Sequence, residues 1–281
     1  TGMLKRDWSR YQVFIEKAVD RVPAMRDAQV SRFLVGPEAF TPDGNYAIGE
    51  APELLNFFVA AGFNSSGIAS AAGAGKALAE WMVEGRPTMD LAEVDIRRFQ
   101  RYQNNARYLF DRSVESLGLI YAMHWPQRQN ESARGVRRSP LHDRLAAHGA
   151  CFGAVAGWER ANWFAPEGVE PRYEYSYGRQ NWFEYSAEEH RAVRDAVGLF
   201  DQTSFGKFLL QGRDAQRVLQ RICAGDVDVP PGRVVYTAML NERGGIEADL
   251  TVTRISTESY LIVTGALATA RDFAWIERHI P

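Results

Sequence analysis

The chain has 281 residues, about two average domains, of which 46% are hydrophobic and 24% charged, the balance of a globular protein with a sizeable core. A net charge of −2 with a pI near 6.2 leaves no electrostatic footprint for nucleic acid or an anionic membrane. The two cysteines, Cys151 and Cys223, lie far apart without CxxC spacing, which argues against a disulfide framework or structural metal and fits a reducing compartment; no run reaches the roughly 18 apolar residues of a membrane span.

Trp8, Tyr11, Ile15, Ala18, Val19 and Val22 stand at helical spacing, so residues 5–22 read as a helix closed by Pro23. Arg32–Gly36 and Tyr46–Gly49 read as short strands on either side of the turn-rich segment Phe40–Asn45. Asn56–Gly62 is an apolar run of strand length ending in glycine, the pattern of a buried strand. A small-residue helix follows from Gly67 to Ala79, with Leu78, Met82 and Val83 on its later turns, and Gly85-Arg86-Pro87 ends it. Residues 88–125 look helical. Residues 126–183 read as irregular, rich in turn residues and tryptophan, and loops this long usually cover another domain or carry function. The basic run Arg134–Arg138 reads as a solvated loop.

Ser186 and Glu189 have capping-box spacing before a helix His190–Ala196. Beyond it the order is β-α-β-β-β-α: Phe205–Gln211, Asp214–Cys223, Arg233–Leu240, a turn at Asn241–Gly245, Glu247–Ile255, Tyr260–Thr264 and Leu267–His279. The whole reads as an α+β, multidomain chain without repeats.

Two segments invite chemistry. Gly62-Phe63-Asn64-Ser65-Ser66-Gly67-Ile68 joins a strand to a helix, so its glycines let backbone approach a ligand and the helix start offers unpaired N–H groups. It is neither a P-loop, since Ser70 and Ala77 stand where Gly-x4-Gly-Lys-Ser/Thr requires otherwise, nor a G-x-G-x-x-G turn. Asp249 lies inside a strand among Ile246, Leu250 and Val252, where a carboxylate is costly unless paired or functional. His142, and Trp158, Trp163 and Trp182, read as a structural histidine and as packing anchors rather than as an acid–base group and a ligand box.

Three blocks carry a resemblance in order and spacing: Gly36-Pro37-Glu38-Ala39-Phe40-Thr41-Pro42-Asp43, then Gly49-Glu50-Ala51-Pro52-Glu53, then Gly62–Gly67. Together they resemble the end of the FAD domain in sarcosine and dimethylglycine dehydrogenases. Arg137–His142 and Gly157–Phe164 resemble that family's central domain. Phe200–Phe208, Tyr236–Asn241 and Gly244–Val252 resemble the start of its aminomethyltransferase (T-protein-like) folate domain. The resemblance implies three parts: 1–88 from an FAD-linked oxidoreductase domain, 89–185 from the central domain, and 186–281 from the first part of the folate-binding domain. It implies FAD contacts at Thr41, Asp43, Gly62, Asn64, Ser65, Ser66, Gly67 and Ile68, whose helix start would stabilise the negative charge of a reduced flavin. It also implies tetrahydrofolate contacts at Tyr236 and Asp249, with Asp249 the catalytic acid on that side.

The activity implied is oxidation of an N-methyl group of a methylated glycine, the one-carbon unit passing to tetrahydrofolate. The pyrophosphate-binding glycines and the second half of the folate domain are expected outside this chain, as its partners in an intact protein. A cytoplasmic location, or the mitochondrial matrix in a eukaryote, is expected, with no nucleic-acid or membrane partner. A rival reading comes from Asn181–Lys207 and Val227–Asp249, which also resemble the non-catalytic regulatory subunit of pyruvate dehydrogenase phosphatase.

Overall fold

The computed structural model describes residues 6–281, and divides into a unit up to Ala39 and a larger one from Phe40 to Pro281. In the first unit, Asp7 caps helix α1 (Trp8–Arg21) by accepting the Ser9 N–H at 3.1 Å. Phe33 packs on Trp8 and Tyr11 with ring centroids 4.5 and 4.8 Å apart. The strand expected over Arg32–Gly36 does not form; that segment pairs with no other strand among the described residues, and an unpaired strand leaves its backbone groups to solvent.

The second unit opens with a hairpin of β1 (Ala47–Glu50) and β2 (Phe58–Ala61), covered by α2 (Gly67–Glu84). Ala74, Ala77, Leu78 and Trp81 recur at i, i+3, i+4 and i+7 and form the buried stripe of α2. Gly49, at φ +120°, meets Trp81 so closely that a Cβ there would stand 2.6 Å from the indole. Gly85, at φ +69°, ends α2 in the left-handed conformation that suits glycine. The strand expected to be buried over Asn56–Gly62 is shorter and partly exposed, because Asn56, at φ +61°, belongs to the turn.

Residues 88–125 are not one helix. The Ile48 N–H donates to Val94 O at 2.9 Å, drawing the chain alongside β1, and two short 3-10 turns at Ile96–Arg98 and Arg101–Gln103 precede α3 (Ala106–Tyr121). Asp95 and Asn105 accept the N–H groups of Arg97 and Tyr108 at 2.8 Å each, so side chains interrupt the backbone ladder.

The segment expected to be irregular contains α4 (His142–Ala147) and a hairpin of β3 (Ala150–Val155) and β4 (Trp158–Phe164). Ala156 and Gly157, at φ +48° and +75°, make its turn, the backbone that two-residue hairpins favour. The loop before the hairpin is tied down as well: Arg112 of α3 donates to Ser132 O at 2.6 Å, and Glu115 accepts the Glu131 N–H at 2.7 Å. Nor is Arg134–Arg138 a solvated loop. Arg134 pairs with the buried Glu159, and the Arg137 guanidinium lies 4.2 Å over Trp158.

Helix α5 (Phe183–Asp195) begins three residues before the expected cap, so Ser186 sits within its first turn and donates its N–H to Trp182 O at 2.9 Å. Glu189 instead accepts the Phe164 N–H of β4 at 2.8 Å. Trp163 is fully buried and stacks on Tyr185 at 5.6 Å, with Trp182 against the same cluster. The helix that crosses residue 185 therefore packs against the preceding hairpin.

The remaining elements form as read: β5 (Gly206–Gln211), α6 (Ala215–Ile222), β6 (Val234–Leu240), β7 (Ile246–Ser256), β8 (Ser259–Thr264) and α7 (Thr269–Arg278). The four strands make an antiparallel sheet in the order β5-β8-β7-β6. Ala215, Val218, Leu219 and Ile222 of α6, with Trp275 and Ile276 of α7, bury the face formed by Ala248, Leu250 and Val252 of β7 and Tyr260 and Ile262 of β8. Strict alternation sends Asp249, Thr251 and Thr253 to the opposite face.

Candidate functional site

The glycine-rich turn is built on backbone that few residues tolerate. Gly62, Asn64 and Ser65 have φ of +66°, +49° and +62°. Asn64 holds the turn from inside: its buried side chain accepts the Thr41 N–H at 2.9 Å and donates to Gly62 O at 2.5 Å. Thr41 donates through Oγ1 to Asn45 O at 2.7 Å, and Asp43 receives Arg98 through two bonds of 2.6 and 3.0 Å. Arg98 lies 55 residues from Asp43, and no local signal in the sequence marks it. Thr41 and Asp43 thus brace the turn from behind, Asn64 ties it from inside, and Gly62, Ser65, Ser66, Gly67 and Ile68 form its outer edge.

Helix α2 starts at Gly67 with Ser66 at its N-cap, and no side chain caps it. Its first-turn N–H groups are left for another acceptor, and the Ile68 side chain beside them is fully exposed. This geometry suits a negatively charged or electron-rich ligand edge.

Gly62 cannot be replaced without cost. A Cβ there would stand 2.5 Å from Thr41 Cγ2, on backbone that already disfavours an L side chain. Gly62→Ala is expected to lower unfolding stability by about 2 kcal/mol, read as a shift of the urea midpoint. An unchanged midpoint would show that the turn relaxes freely.

The second group lies on the sheet face away from α6 and α7. Asp249 of β7 sits opposite Ala238 of β6, and Tyr236 opposite Thr251, so both side chains share that face. The Asp249 carboxylate hydrogen-bonds the Tyr236 phenol and raises its pKa above the usual tyrosine value. Asp249 itself is exposed, as is Tyr236, at 74% of its full surface. The sequence position among apolar neighbours therefore does not bury this carboxylate: Leu250 and Val252 point into the core while Asp249 points out. Around it the face is partly apolar, with Leu209 and Val234 exposed and Leu261 and Val263 half-buried.

His142 stacks on Phe152 at 4.3 Å and stands 3.1 Å from Asp143, a packed histidine rather than one aimed into a cleft. Trp158, Trp163 and Trp182 anchor the β3–β4 hairpin and α5 rather than forming a ligand box. Among the described residues no group of three or more His, Cys, Asp and Glu residues has metal-binding geometry, and no helix is long and apolar enough to cross a membrane.

Comparison with protein families adds the order of domains. Residues 3–81 match the FAD dependent oxidoreductase family, 84–139 the FAD dependent oxidoreductase central domain, and 141–281 the GCVT N-terminal domain. The last match includes the β3–β4 hairpin and α5. Among curated relatives, a 4-methylaminobutanoate oxidase (formaldehyde-forming) of Paenarthrobacter nicotinovorans is 50% identical over 97% of this chain and 33% of its own length. Human mitochondrial sarcosine dehydrogenase is 39% identical over 91% of this chain and 30% of its own. Rat mitochondrial dimethylglycine dehydrogenase is 31% identical over 98% and 32%.

Parts of an FAD dependent oxidoreductase domain, its central domain and a GCVT N-terminal domain in one chain define a class of FAD-dependent oxidoreductase that carries a GCVT domain. The chain belongs to the sarcosine/dimethylglycine dehydrogenase family. It spans about a third of the length of the curated relatives it matches.

Proposed function

We propose that this chain is the middle of an FAD-dependent enzyme that oxidises the N-methyl group of an N-methylated amino acid and hands the one-carbon unit to tetrahydrofolate. The observation that carries this reading is the coexistence, in one chain, of an uncapped helix start behind a left-handed turn and an exposed carboxylate–phenol pair on an open sheet face. Bound FAD supplies the two-electron acceptor, and tetrahydrofolate the nitrogen nucleophile. On this reading Gly62 to Ile68 present backbone N–H groups to the flavin edge, with Thr41 and Asp43 holding that backbone in place. Asp249 faces the folate amine and moves its proton, and Tyr236 lines the folate pocket and fixes the carboxylate's orientation. The methylated glycines remain the first substrates to test; the name of the 50%-identical relative adds 4-methylaminobutanoate, so N-methyl attached to an amino acid is the chemistry in common.

The domain limits we propose remain those at 88 and 185, a cut at 185 dividing α5. The location proposed is the cytoplasm, or the mitochondrial matrix in a eukaryote; two free cysteines support a reducing compartment. No nucleic-acid or membrane partner is proposed. The partners are the rest of the FAD and folate domains.

The test is anaerobic addition of sarcosine, dimethylglycine or 4-methylaminobutanoate to the full-length protein. Bleaching of the flavin absorbance, with methylenetetrahydrofolate formed when tetrahydrofolate is present, is expected. A full-length protein without flavin would favour the regulatory, non-catalytic reading. Residues 1–281 alone are expected to purify colourless, because they contain no pyrophosphate-binding G-x-G-x-x-G turn. A stoichiometric flavin spectrum from them would overturn that expectation.

A further inference from the structure

A cleft of about 300 Å³ lies between the segment following α2 and the edge formed by the β6–β7 turn and α7. Five arginines line it: Arg86, Arg97, Arg243, Arg271 and Arg278. Three of them have carboxylate partners. Arg86 pairs with Glu242 at 2.8 Å, Arg97 with Asp95 at 2.6 Å and Arg271 with Asp272 at 3.2 Å. Of the other acids in the wall, Glu247 accepts from Asn241 at 2.8 Å, Asp90 accepts the Ala92 N–H at 3.0 Å, and Glu84 is exposed.

Arg243 and Arg278 are left without a carboxylate in ion-pairing reach among the described residues. Arg278 donates only to Gly85 O, at 3.3 Å. Desolvation pushes its proton affinity down and the charges of Arg97 and Arg86 push it further, while Glu247 and Glu242 offset this only in part. The C-terminal end of α7 steadies this cation but supplies no formal charge. Trp275, in the same wall, also keeps its buried indole N–H without an acceptor. Arg278 and Arg243 are exposed at the mouth of the cleft, Arg278 is crowded by two other guanidinium groups and has acids nearby but none in ion-pairing contact, and its planar fork matches an oxyanion.

We propose that this cleft binds a small oxyanion, a carboxylate or a phosphate, with Arg278 as the bidentate clamp and Arg243 as the second charge. The volume is at the small end of ligand pockets, room for a phosphate group or a short dicarboxylate but not for a dinucleotide. The site is separate from the turn at 62–68 and from Asp249, so its test does not depend on amine oxidation.

The experiment is calorimetric titration of the full-length protein with inorganic phosphate and, separately, with glutarate, at low ionic strength. Saturable binding of at least one probe is expected. Phosphate alone would identify a phosphate group, glutarate alone a carboxylate, and both a site reading charge. Arg278→Gln is expected to weaken binding about tenfold or more, and Arg278→Lys by less, since a lysine keeps the charge and loses the fork. If Arg278→Gln does not fold, Arg243→Gln carries the test with a several-fold loss. No saturable binding of either probe below about 10 mM, or binding that both glutamine variants leave unchanged, overturns the proposal.

Discussion

Replacing Asp249 with asparagine in the full-length protein is expected to leave amine-dependent flavin bleaching intact and to lower the rate of methylenetetrahydrofolate formation about 100-fold. The expectation rests on position. Asp249 points away from the core made by Ala248, Leu250 and Val252, so the substitution removes a charge without opening a cavity. The sheet should survive it, because Asp249 makes no backbone-capping bond and asparagine has nearly the same shape. What changes is the ability to take a proton from the folate amine, together with the charge that holds the Tyr236 proton. Tyr236→Phe separates the two: it keeps the carboxylate and is expected to lower the rate only several-fold. In Asp249→Asn the pKa of Tyr236 should fall toward the usual value, readable in its ultraviolet titration. Equal loss of both activities would make Asp249 structural, and no loss of either would make it a solvated charge.

Arg134→Met is expected to lower unfolding stability by about 3 kcal/mol. The Glu159 side chain is 5% exposed and that of Arg134 28%. Glu159 accepts from Arg134 Nε at 2.9 Å and from the Gly135 N–H at 2.6 Å, with a further short bond from Arg134 Nη2. Removing the arginine leaves a buried carboxylate without its counter-charge, the case in which breaking an ion pair costs most; the partial exposure of Arg134 keeps the figure at the low end.

Acidity gives this prediction a second readout. Burial raises the Glu159 pKa, but the Arg134 bonds, the Gly135 N–H and the charge of Arg134 together outweigh it and hold the carboxyl below its ordinary value. The intact pair therefore contributes stability above the unfolded-state pKa of about 4.3, and that contribution is lost as pH falls through the lower folded value. In Arg134→Met the remaining burial raises the folded pKa instead, so the deficit is largest near neutral pH and shrinks on acidification. Urea midpoints of protein and variant, compared between neutral pH and about pH 4, should converge. A constant difference would mean that the loss comes from packing of the arginine stem alone.

The last hundred residues were the most legible part of the sequence, and for a physical reason. Each element there buries one face against a single layer, so α6 shows its apolar stripe at helical spacing and β7 and β8 alternate strictly. The parity that puts Asp249 and Tyr236 on one side holds because a bulge beside the turn at Asn241–Gly245 shifts the register by one residue between Leu240 and Met239. The turn at 62–67 was legible too, because glycine and asparagine mark backbone of positive φ.

Parity says which residues share a face but not which face is covered. Only the docking of α6 and α7 decided that Asp249 stands exposed while Ala248 and Leu250 are buried. Ser186 and Glu189 have the spacing of a cap, yet Trp182 and Tyr185 pack on the Trp163 cluster, α5 starts at Phe183, and Glu189 turns to the edge of β4. Arg134 reads as one charge in a basic run because its partner lies 25 residues away, and Arg98 is silent because Asp43 lies 55 residues away. Local sequence determines which conformation a segment prefers and which side chains share a face; the burial of a charge and the identity of its partner are set by contacts that exist only once distant segments have packed.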